Sequence, residues 1–176
     1  MNFASRRPRY LSERPPSYEL TSSVVIDAPL EEVFAFFSNA QNLGAITPPT
    51  MSFRFTKLPL KMGEGARISY RIRVGPAVLT WETGIEAWRP GQVFVDTQLR
   101  GPYRCWWHEH RFFPAGARRT VMEDRVLYAP PFGVLGKLAN FLFIRRELND
   151  IFAYRADAIA LRFGRAKSAV QCAGAA

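Results

Sequence analysis

The spacing of apolar and polar positions changes along the chain, and each change marks a new element. Tyr18–Ile26 ends in the β-branched run Val24-Val25-Ile26 and predicts a strand. Asp27 then offers a side-chain acceptor, Pro29 suits a first helical turn, and Glu31 and Glu32 suit the positive end of a helix. Val33, Phe34, Phe36 and Phe37 follow at helical spacing. Ser38, Asn39 and Asn42 open a second short helix that ends near Gly44, ahead of Pro48-Pro49.

From Phe53 to Tyr128 the period becomes two. Phe53 and Phe55 alternate with Arg54 and Thr56, and Gly63-Glu64-Gly65 makes a turn. Ile68, Tyr70, Ile72 and Val74 then share one face of a strand, with Arg67, Ser69, Arg71 and Arg73 on the other. Gly75-Pro76, Arg89-Pro90-Gly91, Gly101-Pro102 and Pro114–Ala117 separate Val78–Trp88, Gln92–Leu99, Tyr103–Phe113 and Arg118–Tyr128. Successive strands joined by short Gly/Pro turns predict an antiparallel meander. Past Pro130-Pro131, apolar residues recur at Leu135, Leu138, Leu142, Leu148, Ile151, Phe152, Ile159 and Phe163. This predicts a helix of roughly 28 residues, about 40 Å long, greasy on one face. Arg145, Arg146, Glu147, Asp150, Arg155 and Asp157 occupy the other face. The reading is α+β: about seven strands curved around a long C-terminal helix, with two short helices after the first strand. Residues 18–164 form the domain, 1–17 a flexible arm and 165–176 a flexible tail.

Composition narrows the class. Of 176 residues, 48% are hydrophobic and 14% aromatic, enough for a core and for a greasy pocket. The net charge of +9 favours anionic partners. Much of the excess sits near the ends, at Arg6, Arg7, Arg9, Arg14, Arg162, Arg165 and Lys167, and no internal stripe points to nucleic acid. Cys105 and Cys172 form neither a disulfide framework nor a zinc knuckle. No apolar h-region follows the basic N-terminus, and the apolar stretch Leu135–Ile144 is too short to span a bilayer, so a cytoplasmic protein is expected.

A twisted antiparallel sheet curls, and a long helix laid across its concave side leaves space for a ligand. The segments Ile26-Asp27-Ala28-Pro29-Leu30-Glu31-Glu32-Val33-Phe34, Trp107-His108-Glu109-His110-Arg111-Phe112, Asp124-Arg125-Val126-Leu127-Tyr128 and Ile151-Phe152-Ala153-Tyr154-Arg155 carry a family resemblance. The chain resembles the SRPBCC superfamily, also called START-like or birch-pollen-allergen-like, and in particular its bacterial polyketide cyclase/dehydrase and coenzyme Q-binding branch. The resemblance covers about residues 18–164. It implies a helix-grip fold whose cavity takes lipids, isoprenoids, quinones or polyketides, with ring closure catalysed by a minority of members.

His108 and His110 are the only histidines, and their spacing points both to one face of a strand. Pairing with the next strand brings Asp124 near His108, within a residue or two of register. Such a group can polarise a bound carbonyl, can fix register as a cross-strand pair, or can begin a metal site, which also needs a third ligand. Two histidines on one strand are weak grounds for the last, and neither metal nor cofactor is expected. Glu82 is a further acid–base candidate among aromatics, facing with Glu86 and Trp88 away from Trp81 unless a bulge at Gly84 intervenes. Its commoner use is to pair with Arg71 or Arg73. No residue is assigned as catalytic; His108, His110, Asp124 and Glu82 are the candidates. The expected ligand contacts are Tyr70, Trp106, His108, Phe112, Tyr128, Phe132 and Phe152. Phe132, between Pro131 and Gly133, suits a lip that dips into an anionic membrane with Arg145 and Arg146 on the headgroups. With no nucleotide loop and no nucleophile elbow, the sequence favours a non-catalytic carrier of a hydrophobic molecule. The alternative is a cyclase or dehydratase using the same cavity.

Overall fold

The computed structural model describes residues 9–164 and the backbone of 167–174. Eight antiparallel strands make one curved sheet: β1 (Tyr18–Ile26), β2 (Arg54–Lys57), β3 (Arg67–Val74), β4 (Ala77–Arg89), β5 (Val93–Arg100), β6 (Cys105–Pro114), β7 (Thr120–Ala129) and β8 (Lys167–Gly174). Their order is β2-β3-β4-β5-β6-β7-β1-β8, the meander expected from the period-two region, closed by β1 against β7.

Between β1 and β2 lie α2 (Leu30–Phe37) and two short 3₁₀ helices, Ala40–Ile46 and Pro49–Met51. Asn39 caps the first 3₁₀ helix by accepting the Gln41 N–H at 3.0 Å. Asp27 does not cap α2 as expected; it accepts from Arg119 Nε at 2.8 Å instead. Val33 and Phe34 are buried in a cluster with Ile26, Phe94, Phe112, Met122 and Ile159, which packs one end of the sheet and the last helix together.

The final helical segment runs from Gly133 to Phe163 as α3 (Gly133–Ala139), a π-helical turn (Asn140–Ile144) and α4 (Arg145–Phe163). Gly136 sits so close to the Pro131 carbonyl oxygen that a Cβ there would collide with backbone. The buried Tyr128 hydroxyl donates to Asn140 Oδ1 at 3.1 Å, tying β7 to the π turn. Only the second half of the expected greasy face is buried, at Leu148, Phe152 and Ile159. Leu135, Leu138 and Leu142 are largely exposed, since α3 and the π turn pack little against the sheet.

Both ends depart from the sequence reading. Residues 1–8 of the expected arm, and 165, 166, 175 and 176 of the expected tail, lie outside the described residues. Arg9–Glu13 form the helix α1, and Leu11 is buried with Val95, Cys105, Trp107 and Leu127 on the outer sheet face. The Tyr10 hydroxyl donates to Gln98 O at 3.2 Å and accepts from Trp106 N at 3.1 Å. It thus bridges β5 and β6 beyond their last paired residues, Thr97 and Trp107. The tail supplies β8, paired with β1 from Val25–Lys167 to Tyr18–Gly174. Its residues carry little strand propensity, and β1's unpaired backbone edge is what recruits them. Among the described residues, no helix is long and apolar enough to cross a membrane.

Candidate functional site

A cavity of about 600 Å³ opens between the concave sheet and the final helix. Inward residues of β3 and β4 build one wall, including Ile68, Tyr70, Ile72, Trp81 and Ile85; Ile144, Leu148, Ile151 and Phe152 build the opposite one. Phe36, Leu43, Met51 and Phe53 close one end. Phe132, Leu135 and Phe143 line the cavity yet are largely exposed, so they mark its mouth. Burying apolar surface here is worth roughly 25 cal/mol per Å², so an apolar ligand gains by filling the space.

The expected contacts divide. Tyr70, Trp106, His108, Phe132 and Phe152 line the cavity. Phe112 is core instead, packed edge-to-face on Phe34 with ring centroids 5.3 Å apart. Tyr128 is also core, buried with Leu20, Val126 and Leu148. Both lie on the inner sheet face, but where α2 and α4 press directly on it.

Glu82 is not part of the site. It faces outward and pairs with Arg67 at 3.4 Å rather than with Arg71 or Arg73. The bulge between Ile85 and Ala87 then switches the faces of β4, so Trp81 and Trp88 both point inward and Glu86 lies near Trp107 on the outside.

The other three candidates converge. Asp124 stands opposite His110, not His108, whose partner is Val126. Its carboxylate nevertheless reaches both rings: Oδ1 lies 3.0 Å from His108 Nε2 and 2.8 Å from His110 Nδ1. The first contact is an aligned hydrogen bond, whereas the second is close but poorly directed, leaving His110 Nδ1 without one. A fourth member, Asp96, was missed by the sequence reading. It stands opposite His108 on β5, and its Oδ2 lies 3.1 Å from His110 Nε2 and 3.5 Å from His108 Nδ1. The alternation Phe94, Asp96 put both on one face of β5, which was the available signal. The two imidazoles, with centroids 3.8 Å apart, are therefore held between two carboxylates. Phe94 stacks on His110 at 4.2 Å. The expectation of no metal rested on the want of a third ligand; Asp96, His108 and His110 together place three donor atoms within 4.8 Å of one another.

Burial penalises every charge here. It lowers the pKa of His108, reinforced by the neighbouring His110. Burial also pulls on His110, but the Asp124 and Asp96 carboxylates outweigh it and raise that ring. Desolvation would raise Asp124, yet hydrogen bonds from His108 and His110 hold it far below the usual carboxylate range. The surroundings thus push the two rings in opposite directions, His108 toward the neutral form and His110 toward the charged one.

Arg155 was expected on the solvent face of the helix and instead lines the cavity, its guanidinium 4.9 Å from the Phe152 ring centroid. Arg155 Nε and Trp81 Nε1 are buried donors without a hydrogen-bond partner among the described residues. The wall is thus apolar with a few polar groups, as in small-molecule sites.

The curved antiparallel sheet closed over a long C-terminal helix is a helix-grip-like α+β fold. A START superfamily protein from Mycobacterium smegmatis superposes with a TM-score of 0.64 at 10% identity, over 83% of this chain and 97% of that one. The Zhui aromatase/cyclase from a Streptomyces species gives a TM-score of 0.60 at 18% identity, over 81% and 93% of the two chains. Protein Ms6760 from M. smegmatis gives 0.62 at 13% identity, over 82% and 89%. No family model and no curated protein matches the sequence. At such identities the likeness is one of fold alone, and function is argued from the site.

Proposed function

We propose that the protein binds and carries a hydrophobic small molecule, such as a lipid, isoprenoid, quinone or polyketide-like compound, in the cavity between sheet and helix. The observation that carries this reading is the cavity of about 600 Å³ with its largely aliphatic and aromatic wall. A ligand with an apolar body and an oxygen-bearing head fits best, since Trp81 Nε1 and Arg155 Nε are buried donors without a partner among the described residues. Native mass spectrometry of gently purified protein tests the proposal. Retention or uptake of one apolar molecule is expected; a chain that accepts none from a panel of fatty acids, quinones and polyprenols contradicts it.

The exposed mouth supports loading at an anionic membrane surface. Phe132, Val134 and Phe141 are 81, 80 and 83% exposed, and Leu135, Leu138, Leu142 and Phe143 extend the patch along α3 and the π turn. Lys137, Arg145 and Arg146 lie among and beside them. Apolar side chains with cations at the margin suit a headgroup interface. Co-sedimentation with phosphatidylglycerol vesicles, and weaker pelleting with neutral phosphatidylcholine, is the expected result.

A second reading, an acid–base enzyme of the cyclase or dehydratase type, is favoured by one observation. His108, His110 and Asp96 converge on the cavity wall with Asp124 behind them. Such an enzyme would consume a polyketide-like substrate with His108 or His110 exchanging the proton. Unchanged recovery of every bound compound would count for the carrier.

A further inference from the structure

We infer that Asp96, His108 and His110 form a binding site for a divalent first-row transition metal, open toward the cavity. The inference is independent of which apolar ligand the cavity takes.

Strand geometry delivers the three side chains. His108 and His110 project from the same face of β6, and Asp96 stands directly opposite His108 on β5. Asp96 Oδ2 lies 3.1 Å from His110 Nε2 and 3.5 Å from His108 Nδ1. Two ligands on one ion, each at roughly 2.0–2.1 Å in tetrahedral arrangement, sit about 3.3 Å apart. The carboxylate oxygen is therefore already at ligand spacing from each nitrogen, and all three donor atoms lie within 4.8 Å of one another.

The far side of each ring matters as much. Asp124 Oδ1 lies 3.0 Å from His108 Nε2 and 2.8 Å from His110 Nδ1, the nitrogens that face away from Asp96. A carboxylate behind a histidine takes its N–H, fixes the tautomer and leaves the other nitrogen's lone pair for a metal. Asp124 does this for His108, whose Nε2 is hydrogen-bonded to it, and lies close to His110 Nδ1 without an aligned hydrogen bond. Asp124 is almost fully buried and absent from the cavity wall, whereas Asp96, His108 and His110 all line it. The two acids are thus placed for different tasks.

Charge counting agrees. Metal ligation takes both imidazoles as neutral, and the two carboxylates then leave two negative charges in a buried place, where unpaired charge is costly. A divalent cation neutralises the set. Two nitrogens and one carboxylate oxygen match Zn²⁺ or Fe²⁺ better than Mg²⁺ or Ca²⁺, which prefer all-oxygen shells. With three protein ligands, a coordination position remains toward the cavity, where an oxygen of the bound molecule would sit.

The test uses the full chain, stripped with a chelator and titrated with Zn²⁺, and with Co²⁺ as a spectroscopic probe. One ion per chain should survive gel filtration, and Co²⁺ should give visible bands of an N/O-ligated centre without thiolate charge transfer. Asp96→Ala or His110→Ala should abolish uptake, and Asp124→Asn should weaken it about 10–100-fold through ring orientation. The chain has two histidines in all, so imidazole ligation has no other source. A stripped wild-type chain that takes up no stoichiometric ion overturns the inference. So does uptake unaltered by Asp96→Ala in a variant whose circular dichroism is native. Apolar-ligand binding measured on the stripped protein reads the cavity proposal separately.

Discussion

Asp124 shows how one side chain can hold a site together from behind. It takes contacts from both imidazoles while buried under the sheet's inner surface. Asp124→Ala leaves two buried rings facing each other without their shared anion, and should cost about 3–5 kcal/mol in denaturant unfolding. Glu82→Gln, which removes an exposed pairing with Arg67, should cost less than about 1 kcal/mol and leave ligand binding unchanged. Cys105 supplies a pH test. Burial pushes its thiol from an ordinary 9.0 up to about 11, against the opposing pull of Arg104 and Arg14. A raised folded value means that the neutral thiol contributes stability fully below pH 9.0, and that this is lost as pH climbs through about 11. In a Cys172→Ser background, iodoacetamide should therefore leave native Cys105 unmodified at neutral pH and label it readily once the chain is unfolded. Labelling of the native protein at pH 7 would contradict the burial. That His108 and His110 share one strand face, with Asp124 close by, was legible in the alternation of β6 and β7; that this face is the inner one was not. Asp96 was legible too, but a lone acid in a strand otherwise rich in apolar residues draws no notice until its cross-strand partner is known.

At the scale of elements, α3 and the π turn depart most from what periodicity suggests. Leu135, Leu138 and Leu142 recur at helical spacing and read as core, yet they are exposed. Periodicity reports that a helix has an apolar face, not what covers it. Phe132, which opens α3, holds φ at 65°, a left-handed conformation that is costly for a bulky side chain. Phe132→Gly should accordingly leave stability unchanged or raise it, while vesicle binding falls about tenfold from the lost apolar anchor. A variant that loses stability and keeps its vesicle affinity would show that Phe132 serves only to cap the core. The ends α1 and β8 escaped the reading for the opposite reason. Neither is long or periodic enough to signal itself, and tertiary context makes them: an apolar outer patch for Leu11, and a bare strand edge for Lys167–Gly174.

For the whole molecule, the order of elements was enough to anticipate a curved sheet closed over a helix, because short Gly/Pro turns admit little besides a meander. The hollow between them was an inference from that shape, and it is present. What the order of elements left undecided was which aromatics fill the core and which line the hollow. Phe112 and Phe152 have the same strand-face or helix-face pattern as each other's neighbours, and only the positions of α2 and α4 separate them. The central claim is that an apolar molecule enters this hollow. Of the four tryptophans, Trp81 and Trp106 line it, whereas Trp88 packs in the core and Trp107 on the outer sheet face, so the part of the emission that a ligand quenches reports occupancy. The decisive measurement is titration of the protein with a bromine-labelled fatty acid, whose bromines quench indoles on contact. Saturable quenching at one equivalent, reversed by an unlabelled competitor, is the result this account predicts. Quenching that rises without saturation, or none at all, would contradict it.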